Sequence, residues 1–196
     1  NHKLLAIHFQ VTAGMGAYNS GFAQNIPSTL ARYVLPSVYD VQTYFFECKG
    51  VYTNTAPVDA YRGAGRPEAV YQMDRLMDWA GRELGVDPVE LRRKNFIKAA
   101  QMPYTSAVGE IYDVGDFDKV MARALVEADI AGFPARKAES ARAGKFRGIG
   151  LSFYIESILG DPAENTKIEF AEDGMVNLYV GTQSNGQGHE TVFAQI

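Results

Sequence analysis

The sequence has a single cysteine, Cys48, three histidines, and no apolar run that approaches the ~18 to 20 residues a membrane span requires. Each scarcity excludes something. One cysteine cannot close an internal disulfide and leaves a cytoplasmic compartment as the expectation. Its neighbours Tyr44, Phe45, Phe46, Val51 and Tyr52 are apolar or aromatic, so Cys48 reads as a buried, inert thiol and not as a nucleophile. No two of His2, His8 and His189 stand at ligand spacing, and at His189-Glu190 the zinc-protease pattern lacks its second histidine because Phe193 occupies that place; no protein-built metal site is expected. Positive charge is also short. With a net charge of -4 and a pI near 5.4, the chain has no basic surface to neutralise a phosphate backbone, which excludes nucleic acid as an expected partner. The nearest basic run, Arg92-Arg93-Lys94, reads as the solvated face of an amphipathic helix.

What is present is material for a core. A hydrophobic content of 46% with eleven Tyr and eleven Phe in 196 residues suits one substantial domain or two modest lobes. The start lacks the layout of a signal peptide. Asn1 in place of Met, and an end at Ile196 inside an apolar stretch, suggest that both ends were cut from something longer.

Residues 3–13 alternate loosely and are rich in β-formers, which predicts a strand ending at Gly14; residues 41–53 predict another. Between them, 27–35 reads as a short helix stopped by Pro36. After a turn-rich stretch from Thr53 to Arg66, Pro67 opens a helix whose apolar stripe is Ala69, Met73, Leu76, Ala80 and Leu84, stopped by Gly85. Asp87 caps the next helix, with Glu90 completing a capping box and Val86 placed to staple against Leu91. Asp116 caps a helix to about Asp129, and another runs from Pro134 to near Gly144. From Arg147 the pattern changes: Leu151, Phe153 and Ile155 alternate with Ser152, Tyr154 and Glu156 as in a half-buried strand, and Asp173-Gly174 sits between alternating segments as a hairpin turn. The lobe boundary is therefore placed at 145/146, giving segments 1–145 and 146–196.

Two glycine-rich constellations stand out. The first, Ala60-Tyr61-Arg62-Gly63-Ala64-Gly65-Arg66-Pro67, lies between a strand and a strong helix. Its glycines let backbone approach a ligand closely, and Arg62 and Arg66 carry the charge an anion needs. The dinucleotide fingerprint fails here, because Glu68 stands where its third glycine or alanine belongs. An anion-binding loop and a plain structural turn both remain open. The second constellation runs from Gly181 to Thr191, Gly-Thr-Gln-Ser-Asn-Gly-Gln-Gly-His-Glu-Thr. It is rich in amides and hydroxyls suited to a multiply hydrogen-bonded ligand such as a pterin or a nucleotide.

At these residues the sequence resembles the molybdopterin-binding large subunit of the carbon monoxide dehydrogenase, xanthine dehydrogenase and aldehyde oxidoreductase family. The carriers are Val51–Asp78, the run Asp87–Ile97 that reads DPVELRRKNFI, and the final Gly181–Ile196. The resemblance implies an α+β fold of two lobes with the pterin between them. It implies hydroxylation of a substrate with water-derived oxygen, the electrons passing to 2Fe-2S clusters and FAD. Carried over by position, Arg62 resembles the active-site-loop arginine, and Gly63 and Ala64 the floor of the substrate pocket. Gln183, Gly186, Gln187, Gly188, His189 and Thr191 fall in the cofactor-binding segment. The implied cofactor is molybdenum-molybdopterin in its cytosine dinucleotide form, and the implied partners are an iron-sulfur small subunit and an FAD medium subunit, in a homodimer of heterotrimers.

Two departures qualify the resemblance. Where true carbon monoxide dehydrogenases place a copper-binding cysteine after the arginine, this chain has Gly63, which points to a copper-free branch acting on an aldehyde or an N-heterocycle. The family's general-base glutamate lies further toward the C-terminal end of the subunit than this chain reaches, and Glu190 is not assigned that role. The competing readings are a non-catalytic pterin- or nucleotide-binding module and a scaffold domain docking on partner subunits.

Overall fold

The computed structural model describes residues 1–157, 163–184 and 186–196. They divide into two units, Asn1–Ser157 and Ile158–Ile196, and helices with small two-stranded sheets make both α+β.

In the first unit, β1 (Ala6–Gly14) and β2 (Thr43–Val51) pair in parallel, from Ala6 opposite Thr43 to Gly14 opposite Val51. Parallel strands cannot be joined by a tight turn and need a crossover. Residues 15–42 supply it, through a 3-10 turn at Ala23–Asn25, a π turn at Ile26–Leu30 and the helical turn α1 (Ala31–Val34). Ile7 is buried, and Phe9, Tyr44 and Phe46 pack on the same core as Val34, Leu35, Val38 and Tyr39.

Helix α2 (Arg66–Leu84) begins one residue before the expected Pro67, and α3 (Pro88–Asn95) follows the Asp87 cap, whose carboxylate accepts from Val89 N–H at 2.7 Å and Glu90 N–H at 3.2 Å. The buried stripe of α2 is not the expected one. Ala69 and Met73 are buried as predicted, but the stripe continues through Asp74, Met77 and Gly81, while Leu76 and Leu84 are exposed. The reason is Arg92 on α3, and here the reading of Arg92-Arg93-Lys94 as a solvated face is corrected. Arg92 is fully buried, donates to Asp74 Oδ1 at 3.1 Å and to Asp78 Oδ1 at 2.8 Å, and so draws that face of α2 inward. Arg93 is half-exposed and grips both carboxylate oxygens of Asp118 at 2.7 and 3.0 Å; only Lys94 faces water.

A short antiparallel pair, β3 (Tyr104–Thr105) and β4 (Ile111–Tyr112), precedes α4 (Phe117–Glu127) and α5 (Phe133–Arg142). Asp116 caps α4 through Lys119 N–H at 3.0 Å, as expected. Residues 151–157 are extended and bury alternate side chains. The Phe153 ring lies tilted against Phe96 at 4.9 Å between centroids and meets Phe117 edge-on, and Leu151 and Ile155 are half-buried. Among the described residues this segment has no partner strand. It packs on the first unit, so the compact units divide at 157/158, twelve residues beyond the boundary placed from sequence at 145/146.

In the second unit, β5 (Thr166–Phe170) and β6 (Val176–Val180) form the expected hairpin. Gly174 takes positive φ, and Asp173 Oδ1 accepts from Met175 N–H at 3.0 Å. The pleat separates the two faces. Ile168, Phe170, Val176 and Leu178 lie on one, whereas Lys167 and Glu169 form an ion pair on the other, with Lys167 over the Tyr179 ring. The last helix is α6 (His189–Gln195).

Candidate functional site

The first constellation is a tight turn placed by the two parallel strands. Beyond their carboxyl ends the chains stay zipped together: Thr53 N–H donates to Gly16 O at 2.9 Å, Ala17 N–H to Thr55 O at 3.1 Å and Val58 N–H to Met15 O at 3.2 Å. These bonds lead the chain to Tyr61. There Ala64 N–H donates to Tyr61 O and Arg66 N–H to Gly63 O, both at 2.8 Å, and α2 starts. Gly65 is buried at φ +85°, and a Cβ on it would stand 2.5 Å from Leu30 Cβ and 2.9 Å from Ala31 N. Only glycine permits that approach, so the turn rests directly on the crossover helix. Arg62 is exposed, and Gly63 and Ala64 are half-buried beside it.

Arg66 behaves differently from Arg62. Its side chain is 11% exposed and ion-paired with Glu156 at 2.9 Å, with further bonds to Ala64 O at 3.0 Å and Ser157 O at 2.7 Å. An anion-binding loop and a structural turn were both open for this segment; the contacts of Arg66 are with the protein itself.

In the second unit, the apolar face of the hairpin and α6 enclose a groove of about 1030 Å³. Ile168, Leu178 and Phe193 contribute to its apolar lining, and Thr182, Gln183, Ser184, His189 and Glu190 are its polar groups. The His189 ring stacks on Phe193 at 4.8 Å between centroids, and its Nδ1 is buried without a hydrogen-bond partner among the described residues. A buried imidazole nitrogen left unsatisfied is unusual in a folded protein and marks a position where a ligand can supply the missing bond. Gly186, Gln187 and Thr191 are exposed along the same segment, and Gly188, at positive φ, leads into α6. Asn185, part of the predicted segment, lies outside the described residues.

The structure thus keeps Arg62, Gly63 and Ala64 together on one unit and Gln183, Gly186, Gln187, Gly188, His189 and Thr191 together on the other. Sequence reasoning missed Glu156 as Arg66's partner and Phe193 as the ring beneath His189. The second was available, since residues four apart on a helix are neighbours; the first was not, with ninety residues between the partners. Cys48 is half-buried, and burial pushes its thiol pKa up. Among the described residues no group of three or more His, Cys, Asp or Glu could hold a metal ion, and no helix is long and apolar enough to cross a membrane.

Comparison with known proteins gives this geometry a context. Two family profiles, both described as molybdopterin cofactor-binding domains, match residues 1–96 and 123–196. The carbon monoxide dehydrogenase large chain of Hydrogenophaga pseudoflava is 33% identical over 214 residues, covering 99% of this chain and 26% of the relative. Among solved structures, carbon monoxide dehydrogenase from Oligotropha carboxidovorans has a TM-score of 0.79 at 31% identity over 99% of this chain and 26% of that one. Quinoline 2-oxidoreductase from Pseudomonas putida 86 has a TM-score of 0.78 at 27% identity, again over 99% and 26%. The chain therefore spans about a quarter of the length of the relatives it matches.

Proposed function

Because the chain belongs to the molybdopterin cofactor-binding domain family, we propose that it forms the cofactor-holding part of a molybdenum hydroxylase large subunit that oxidises an aldehyde or an N-heterocycle. The observation that carries this reading is the orphaned Nδ1 of His189, on a groove rimmed by the hydroxyls and amides of Thr182, Gln183 and Ser184. These groups fit a pterin, which is planar and edged with donors and acceptors.

In this reading Gln183, Gly186, Gln187, Gly188, His189 and Thr191 hold the cofactor, in its cytosine dinucleotide form. When bound, the molybdenum-pterin supplies two-electron oxidation of a carbon centre with oxygen drawn from water. The chain's own residues bind and orient. The exposed Arg62 offers a planar fork of donors to a carbonyl oxygen or ring nitrogen, and fixing the substrate's orientation lowers the entropic part of the barrier. Gly63 and Ala64 present almost no side chain and leave room for a flat ring.

Carbon monoxide is the less favoured substrate. Gly63 follows Arg62 where a thiol would stand, so no soft ligand for copper remains at that position. The similarity to quinoline 2-oxidoreductase supports an N-heterocycle. The assembly proposed is the large subunit with an iron-sulfur small subunit and an FAD medium subunit, as a homodimer of heterotrimers in the cytoplasm.

The test is to express the complete protein with its neighbouring subunits in a host that makes the cofactor, then measure molybdenum content and dye-linked oxidation of aldehydes and N-heterocycles. Bound molybdenum and turnover are expected, and His189→Ala should lower molybdenum content. Molybdenum-free protein from such a host would overturn the reading in favour of a non-catalytic module.

A further inference from the structure

A turn flanked by Gly63 at φ +96° and Gly65 at φ +85° has little conformational preference of its own, because glycine reaches many backbone states at similar energy. Besides its two 2.8 Å backbone bonds and the seat of Gly65 on the crossover helix, one side chain also holds it. Arg66 directs its guanidinium at three oxygens: Ala64 O inside the turn at 3.0 Å, Glu156 Oε1 at 2.9 Å and Ser157 O at 2.7 Å. A planar guanidinium with several acceptors fixes direction as well as distance. Glu156 Oε1 also accepts from Ser157 N–H at 3.1 Å, which orients the carboxylate.

The far end of the same segment is anchored independently. Asp74 Oδ2 accepts from Ser152 Oγ at 2.9 Å and from Phe153 N–H at 3.2 Å, and Asp74 is itself paired with the buried Arg92. Residues 152–157 are thus a strap tied to α2 at Asp74 and at Arg66, with Phe153, at the first tie, sunk into the core.

We infer that Arg66 and Glu156 are positioning residues, which hold the Arg62-Gly63-Ala64 turn in one conformation by clamping the Ala64 carbonyl to the 152–157 strap. The inference rests on the reading of that turn as the pocket floor. The consequence is a substrate-pocket geometry set by a charge pair whose members do not themselves belong to the floor.

The experiment uses the complete protein carrying Arg66→Ala, Arg66→Lys or Glu156→Gln, with backbone hydrogen exchange over residues 61–65 compared with β1 and β2. Loss of a charge-assisted bond should speed exchange in the turn by about tenfold to a hundredfold, with the strands unchanged. Arg66→Lys should not restore slow exchange, because an ammonium cannot reach three acceptors in a plane. On the same samples KM for the aldehyde or N-heterocycle being oxidised should rise, and kcat/KM should fall by about a hundredfold in Arg66→Ala. If Arg66→Ala does not fold, Glu156→Gln carries the test, since that side chain is 52% exposed and tolerates the change. Unchanged exchange in the turn of folded Glu156→Gln and Arg66→Lys proteins overturns the positioning role and leaves the pocket assignment intact. A parent protein with neither molybdenum nor turnover overturns the pocket assignment, while the exchange result still decides the clamp.

Discussion

Arg92 Nη2 lies 3.0 Å from Asp74 Oδ1, with the arginine side chain wholly buried and the aspartate nearly so. Around that pair α2, α3 and the strap meet: Arg92 also donates to Asp78 Oδ1 and Pro88 O, and Asp74 also accepts from Ser152 and Phe153. Two desolvated charges are stable only when every remaining donor and acceptor is satisfied, and here the backbone completes the set.

Arg92→Ala should therefore destabilise the protein by about 3–5 kcal/mol, because it leaves the Asp74 carboxylate buried without its counter-charge. Denaturant unfolding measures this. A loss below about 1 kcal/mol, the worth of an exposed pair, would show that the pair does not organise the core.

Arg62→Ala separates function from stability. The side chain is exposed, so the melting temperature should move by no more than a few degrees while kcat/KM falls by about a hundredfold. Unchanged turnover would remove Arg62 from the site.

The Arg93–Asp118 pair predicts a pH dependence. Arg93's bidentate hydrogen bond holds the Asp118 carboxyl below the usual carboxylate range, with Arg93's charge adding to it. A lowered folded-state pKa contributes stability that is present above the unfolded value of about 3.9 and lost as pH falls through the folded value. Asp118→Asn should consequently reduce stability at neutral pH slightly and flatten its decline below about pH 4. Both partners are solvent-accessible, so 1 M salt should shrink the difference between parent and variant. Thermal melts from pH 2.5 to 7 at two salt concentrations check both points.

Much of this architecture was legible because its signals are local. Pro67 and Gly85 bracket α2, Asp87 and Asp116 cap their helices, and Asp173-Gly174 turns the hairpin, each acting within a few residues. What could not be read is what long-range pairing decides. The stripe of α2 is rotated because Asp74 is drawn in by Arg92, eighteen residues away. Residues 151–155 have the alternation of a strand, yet they bury alternate side chains without a strand partner among the described residues, since alternation records burial and not pairing. The two constellations were visible by composition and spacing. The division between Arg62, left exposed, and Arg66, fixed to Glu156, was not, because identical side chains four residues apart differ only in what the fold brings to them.

Gly63 and Gly65 make the last contrast, since both have positive φ and stand two residues apart. At Gly65 an added methyl would meet Leu30 Cβ at 2.5 Å and two backbone atoms of the crossover helix at 2.9 and 3.0 Å, so backbone must move to admit it. At Gly63 the nearest atom is Pro67 Cδ at 3.8 Å, an ordinary contact, so only the left-handed backbone conformation opposes the substitution. That conformational term is about 1–2 kcal/mol for a non-glycine residue, and overpacking adds about 1–3 kcal/mol more at Gly65 alone. Gly65→Ala should lower the melting temperature markedly and push the turn off α1, with loss of turnover. Gly63→Ala should fold with a small stability cost and change KM among substrates of different width, because the methyl enters the floor and not the core. Equal destabilisation by the two substitutions would show that the turn does not rest on the crossover helix as described.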